Sequence, residues 1–222
     1  LVAIIYISFV ALAQKDMKKL IAYSSIAHMG FVTLGIFLTF NALSEETIIN
    51  REMILIGLQG AVIQMISHGL ISAGLFICIG IIYTRTKSRE INEQSGIGQV
   101  MPVFSALMMF FLISNSGLPG TSGFVGEFMV LVSSLEVSIV YGLLASTTLV
   151  LAASYSLWLG KRVLFGEVSS ETIKKMPNLK TNEFWPLFIL ILMIIVIGVQ
   201  PNIILDLSHS ASNNLINSLV GS

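Results

Sequence analysis

Five long stretches of this chain carry no charged residue. They are Leu20–Ser44, Met53–Thr84, Gln94–Gly126, Val137–Gly160 and Phe184–Leu205. A helix needs about 20 apolar residues to cross the roughly 30 Å hydrocarbon core of a bilayer, and each stretch is long enough. Only 11% of the residues are charged, whereas a soluble domain carries about 25%. The pattern predicts an all-α, polytopic membrane helix bundle.

The expected organisation is a single membrane domain over residues 1–222, with about five complete transmembrane helices and a partial one. The expected spans are 20–43, 53–84, 102–135, 137–164 and 184–205. Residues 1–13 are apolar but too short to span, and they show neither an initiator Met nor a signal-peptide pattern. We expect them to be the end of a truncated helix, which makes the chain a fragment of a longer protein.

The positive charges fall in alternate loops. All but one of the twelve Lys and Arg residues lie in the segments 14–19, 85–93 and 161–183, and the exception is Arg51. Loops rich in Lys and Arg stay on the cytoplasmic side of a membrane, or on the matrix side in mitochondria. The alternation therefore predicts five crossings, with these three segments on one side.

The stretch ISNSGLPGTSGFVGEF (113–128) interrupts one of the spans. Pro119 removes a backbone donor, and Gly117 and Gly120 each destabilise a helix by about 1 kcal/mol relative to Ala. We expect one helix broken near mid-membrane at Asn115–Ser122. Non-helical backbone at that depth is found where it is buried in protein or lines a wet cavity, as in the ion sites of transporters. A proline kink that serves only packing is the alternative.

Glu127 follows the expected break. It precedes Glu136, which marks the outer surface, by nine residues, or about 13 Å along a helix. An acid near the bilayer centre costs about 2.5–3.5 kcal/mol, so its side chain should face a partner or water rather than lipid. We predict a functional carboxylate, the alternative being a structural one that is hydrogen-bonded between helices.

Two histidines are predicted at a similar depth. His28 lies nine residues past Lys19, and His68 lies near the centre of its uncharged stretch. Imidazole titrates near neutral pH and can accept a proton at one nitrogen while it releases one from the other. Polar residues one turn away share their helix faces: Ser24, Gln64 and Ser72. His28, His68 and Glu127 are therefore predicted to form a proton relay, although a lone buried histidine is more often a packing residue.

The remaining candidates are less specific. Lys18 lies where the first complete helix leaves the inner surface, so it is either a charged anchor or a residue at the inner mouth of the relay. The single cysteine, Cys78, excludes a disulfide framework and a four-thiolate iron–sulfur site within this chain. The zero net charge argues against nucleic-acid binding.

Three motifs together resemble a known family. QKDMKKLIAYSSIAHMG (14–30), AVIQMISHGLISAGLF (61–76) and GLPGTSGFVGEF (117–128) occur in that order. They resemble the antiporter-like subunits of respiratory complex I, the proton-pumping NADH:quinone oxidoreductase. In most sister chains a lysine stands where this chain has Glu127, so the resemblance is to the chain 4 group, called chain M in bacteria. It extends over essentially all of the chain.

The resemblance implies a fold and a set of roles. The fold would be half of an inverted-repeat, antiporter-like fold that carries the outward half of a proton channel. Glu127 would be the acid from which the proton leaves, and His68 and His28 would connect it to a central lysine on absent helices. Lys18 matches the lysine of the family's DLK or DIK signature.

The resemblance also implies partners and a location. No cofactor is expected in this chain, because NADH, FMN, iron–sulfur clusters and quinone would belong to partner subunits. Expected partners are other membrane-arm subunits, including the antiporter-like chains 2 and 5, together with lipids and the missing N-terminal helices of the same subunit. The chain would be an integral membrane protein, of the mitochondrial inner membrane by preference and of a bacterial plasma membrane otherwise.

Two other functions are left open by the residues. One is a subunit of a multi-subunit sodium/proton antiporter, which would transport cations without any connection to NADH. The other is a structural membrane scaffold whose buried polar groups only pack helices together.

Overall fold

The computed structural model describes residues 1–44 and 51–220, and within those ranges it contains helices and no strand. Among the described residues, four helices are long and apolar enough to cross a membrane: Met17–Phe40, Arg51–Thr86, Ile139–Leu164 and Thr181–Val199. The prediction of an all-α membrane bundle is confirmed. The loop expected at 44–52 falls largely outside the described residues.

Ten α-helices make up the described part of the chain. In order they are α1 (Val2–Leu12), α2 (Met17–Ser44), α3 (Arg51–Thr86), α4 (Ile97–Val100), α5 (Pro102–Asn115), α6 (Ser122–Val137), α7 (Ile139–Leu164), α8 (Glu171–Lys174), α9 (Thr181–Val199) and α10 (Asn202–Val220). A short 3-10 turn at Ile91–Glu93 precedes α4. Helix α3 packs against α2, α5, α6, α9 and α10, so it lies at the centre of the bundle.

The broken helix is confirmed. Helix α5 begins with Pro102 and ends at Asn115, and α6 begins at Ser122. In the connecting segment Gly117 and Gly120 have φ angles of 80° and 91°. This left-handed conformation is accessible to glycine without steric penalty. The glycines therefore shape the break as well as weakening the helix.

The last predicted span divides into two helices. The sequence predicts a span at 184–205 followed by a tail, whereas α9 ends at Val199 and α10 continues from Asn202. Pro201 explains the division, because the residue before a proline is driven towards an extended conformation. Gln200 accordingly adopts φ −124° and ψ 67°. The residues beyond Leu205 are helical as far as Val220.

The segment before α2 is hydrogen-bonded to the segment after α3. The backbone N–H of Met17 donates to the carbonyl of Arg89 over 3.0 Å, and that of Ile91 donates to the carbonyl of Lys15 over 2.8 Å. These two basic segments therefore lie side by side at one end of the bundle.

The third basic segment joins the same end. The guanidinium of Arg85 binds both carboxylate oxygens of Glu183, over 3.0 Å and 2.6 Å, and Arg162 donates to the side chain of Asn92. All three segments that the charge pattern places on one side of the membrane are thus in contact.

Glycines bring α3 and α6 into close contact. A methyl group at Gly126 of α6 would lie 2.7 Å from the backbone nitrogen of Gln64 in α3, and one at Gly60 would lie 2.7 Å from Cβ of Met129. Real side chains do not approach so closely, so only glycine allows these backbones to meet. Small residues serve the same purpose in other membrane helix pairs. The contact places Gln64 beside Glu127.

We call the close contact of α3 with α6 at Gly60 and Gly126 the glycine seam. Replacing Gly126 with Ala tests it. The added methyl group must push against the backbone of α3, so the Gly126→Ala variant should lose about 1–3 kcal/mol of stability through overpacking. The midpoint of thermal unfolding of the purified chain in detergent would measure the loss. Gly69→Ala is the matched control, since a methyl group there meets nothing within 4 Å. Equal effects of the two changes would contradict the account of the seam.

Candidate functional site

Glu127 is buried in the bundle near the start of α6. It is 2% exposed, and its position follows from the break, after which α6 begins, and from the close approach of α3 at Gly126. Its Oε1 atom lies 2.6 Å from Nδ1 of His28 and accepts a hydrogen bond of 2.9 Å from Nε2 of Gln64. One oxygen of the carboxylate, Oε1, therefore has polar partners that offset part of the cost of its burial.

His28 is bound at both ring nitrogens. Besides the contact of Nδ1 with Glu127, its Nε2 lies 2.8 Å from the hydroxyl of Tyr155 in α7. His28 is 2% exposed and Tyr155 is fully buried. Residues of α6, α2 and α7 thus form one continuous chain of hydrogen bonds, from carboxylate through imidazole to phenol.

His68 joins this group by stacking. Its ring centroid lies 5.4 Å from that of His28, with 29° between the ring planes. Hydrogen bonds of an imidazole lie in its ring plane, so a stacked pair does not direct the nitrogen of one ring at the other. The structure thus brings together the two histidines of the predicted relay, but no direct hydrogen bond joins their imidazoles in the described part of the chain.

Lys18 lies apart from the other candidates. It is exposed in the first turn of α2, and ten residues separate it from His28, or about 15 Å along the helix. The structure therefore places Lys18 at the end of the bundle where the basic segments meet, outside the buried group.

The sequence does not single out Tyr155, and it indicates Gln64 only as a polar neighbour of His68. The sequence signal for Tyr155 is weak, because the residue stands among apolar and small side chains of a membrane helix. The one local hint is the polar triplet SYS at 154–156. The contact itself joins residues 127 positions apart, which no local pattern can indicate.

The break is held by side chains on both sides. Nδ2 of Asn115, at the end of α5, donates to Oγ of Ser156 over 3.0 Å, and Oγ of Ser67 donates to the carbonyl of Ser122 over 3.0 Å. The non-helical segment is thus fixed to α7 and α3. These bonds maintain the position from which α6 presents Glu127.

The second carboxylate oxygen of Glu127 faces the break. A methyl group at Gly117 would lie 3.5 Å from Oε2, and Oε2 has no hydrogen-bond partner among the described residues. Other buried side-chain oxygens share this condition in the described ranges: Gln64 Oε1, Ser114 Oγ, Ser122 Oγ and Thr148 Oγ1. Buried polar atoms of this kind are commonly bridged by ordered water.

The hydrogen-bonded group is suited to proton transfer. A carboxylate and an imidazole that share a short hydrogen bond can exchange a proton directly. Across residues 1–44 and 51–220, no set of three or more His, Cys, Asp or Glu side chains is arranged to hold a metal ion.

Sequence comparison identifies relatives over nearly the whole chain. It is 45% identical to NADH-quinone oxidoreductase subunit M of Rhodobacter capsulatus over 215 residues, which are 97% of this chain and 39% of that protein. It is 42% identical to NADH-ubiquinone oxidoreductase chain 4 of Chondrus crispus over 216 residues, 97% of this chain and 41% of the relative. The chain therefore spans about two fifths of the length of these relatives.

Solved structures share its fold. A chain of respiratory complex I from Thermus thermophilus with bound NADH matches with a TM-score of 0.83 and 28% identity, covering 99% of this chain and 43% of that one. A chain of the Mrp complex from Dietzia sp. DQ12-45-1b matches with a TM-score of 0.79 over 98% of this chain and 47% of that one. At 18% identity, the second likeness shows the fold alone.

The family model described as NADH:quinone oxidoreductase/Mrp antiporter, TM, matches residues 1–153, which include Glu127, His28 and His68. With the relatives above, this match confirms the resemblance carried by the three motifs. The chain is an integral membrane protein that belongs to the NADH:quinone oxidoreductase/Mrp antiporter transmembrane family.

Proposed function

We propose that this chain is part of a proton-translocating membrane subunit of NADH:ubiquinone oxidoreductase (complex I), in which it carries the outward half of a proton channel. The observation that carries the proposal is the buried carboxylate of Glu127, which shares a 2.6 Å hydrogen bond with His28. Ionisable groups inside a membrane are costly and mark ion or proton pathways. We assign the chain to this oxidoreductase because its relatives are named as subunits of NADH-quinone or NADH-ubiquinone oxidoreductase.

The proposed roles divide among four residues. Glu127 holds the proton and releases it, His28 shares the proton with Glu127, and the buried His68 of α3, stacked on His28, supplies the pair. Lys18 contributes positive charge at the inner surface, outside the buried group. In this scheme the proton leaves from Oε2, which faces the break.

Electron transfer would take place in other subunits. NADH, FMN, iron–sulfur clusters and quinone are proposed to be bound there, while this chain contributes no redox group. Redox chemistry at a distance would change the hydration or the electrostatics of the site, and the protonation of Glu127 would follow. The proposed partners are the other membrane-arm subunits, including the antiporter-like chains 2 and 5, and lipids of a mitochondrial inner membrane or bacterial plasma membrane.

A sodium/proton antiporter subunit is the second candidate, since the fold is shared with a chain of the Mrp complex. Proton transport that depends on Na⁺ and continues without NADH would favour it. The higher identity to the oxidoreductase subunits supports the first candidate.

Glu127→Gln should abolish proton pumping while the complex still assembles, because the amide keeps the size and hydrogen bonding of the side chain but cannot release a proton. NADH-driven acidification of sealed membrane vesicles would measure pumping, and a native gel stained for NADH dehydrogenase activity would measure assembly. Glu136→Gln makes the same chemical change at an exposed position of α6 and should pump normally. Normal pumping by Glu127→Gln would refute the proposal.

The charge on Glu127 can be tested through stability. His28→Leu should cost about 3 kcal/mol, because it removes the hydrogen-bond donor of a buried carboxylate and leaves that charge uncompensated. Adding Glu127→Gln to that variant should restore much of the loss, since no buried carboxylate then remains. Thermal unfolding of the purified chain in detergent would compare the single and double variants. A double variant no more stable than His28→Leu would show that Glu127 carries no buried charge.

A further inference from the structure

Both in-plane hydrogen-bonding positions of the His28 ring are occupied by named side chains. Nδ1 contacts Glu127 and Nε2 contacts the hydroxyl of Tyr155 over 2.8 Å. His68 meets the face of the ring instead. Tyr155 is therefore the one described residue besides Glu127 that can exchange a hydrogen bond with His28.

The third partner of the site fixes the direction of these bonds. The amide nitrogen of Gln64 can only donate, and it donates to Oε1 of Glu127, the same oxygen that lies against His28. Oε1 therefore acts as a hydrogen-bond acceptor towards Gln64, and we infer that it does so towards His28 as well. The proton of the contact with His28 then lies on Nδ1 of the imidazole. Nε2 then carries a lone pair and accepts the hydroxyl proton of Tyr155.

The burial of Tyr155 supports a specific role for its hydroxyl group. The side chain is fully buried, and a buried phenol without a partner would lose about 1–3 kcal/mol. Its neighbour Ser156 accepts a hydrogen bond from Asn115, which holds this part of α7 against the break. The phenol thus lies on the same helix turn that fixes the end of α5 at the break.

We propose that Tyr155 is a positioning residue of the proton site: its hydroxyl group holds Nε2 of His28, keeps the Nδ1 proton directed at Glu127, and orients the ring for exchange between the two. The inference rests on the proposed function of Glu127 and His28 and adds to it the residue that selects the tautomer. No role is assigned to Tyr155 in binding a cofactor.

Tyr155→Phe removes the hydroxyl group and keeps the ring. The rate of NADH-driven proton uptake by sealed vesicles that contain the assembled complex should fall about tenfold, the lower end of the effect seen when partners that orient metal-bound histidines are removed. Tyr141→Phe is the matched control, because Tyr141 lies on the same helix but is 38% exposed, and its uptake rate should not change. Unchanged uptake in Tyr155→Phe would overturn the inference.

The tautomer of His28 separates positioning from packing. The chain has three histidines, so ¹⁵N solid-state NMR of membranes in which only this chain carries ring-labelled histidine can resolve each ring. In the parent chain Nε2 of His28 should be unprotonated and hydrogen-bonded. In Tyr155→Phe its signal should move to the position of a free ring nitrogen, and in Tyr141→Phe it should stay. An unchanged His28 signal in Tyr155→Phe would overturn the inference even if uptake falls.

The two proposals can fail separately. If Glu127→Gln stops pumping while Tyr155→Phe pumps normally, the proposed function stands and the role of Tyr155 is refuted. If neither change affects pumping, the proposed function fails and the inference fails with it. If Tyr155→Phe does not accumulate, the spectrum of the parent chain decides, because a proton on Nε2 of His28 would overturn the inference.

Discussion

The burial of one carboxylate within a membrane is the constraint on which the rest of this structure depends. A charged group in hydrocarbon is unfavourable unless other groups replace the water that it has lost. Glu127 receives an imidazole and an amide at Oε1, and its second oxygen faces the broken segment rather than lipid. Each of these contacts requires a neighbouring helix to come close, and glycines allow the close approach of α3 to α6.

The break and the glycine seam therefore serve the same purpose. The break lets α6 begin inside the bundle, which places Glu127 near its start. The seam brings α3 against α6, which places Gln64 within reach. Helix α7 contributes to both, since Ser156 holds the break and Tyr155 holds His28. A helix that looks like simple apolar packing in the sequence thus supports the site from two adjacent residues.

Sequence patterns predicted the parts of this arrangement that depend on position along a helix. The helices and the break follow from charge-free stretches and from Gly and Pro, and the burial of Glu127 follows from the cost of exposing a carboxylate to lipid. The contacts between side chains of different helices do not follow from these patterns. His68 lies beside His28 but stacks on its face, and the charge and polarity pattern of a single helix does not indicate how two rings on different helices are oriented. The sequence does not indicate Tyr155, because its partner His28 lies far away in the chain. It does not predict α10 either, because the many Ser and Asn residues after Pro201 obscure the apolar pattern of that helix.

The most direct test of the central claim is to observe the protonation of Glu127 while the complex works. Infrared difference spectra of the assembled complex in membranes would be recorded with and without NADH, and the band that disappears in Glu127→Gln would be assigned to this carboxyl group. We expect the protonated carboxyl band of Glu127 to change in intensity when NADH drives turnover. A Glu127 band that stays constant during turnover would show that this carboxylate holds the helices together without carrying the proton.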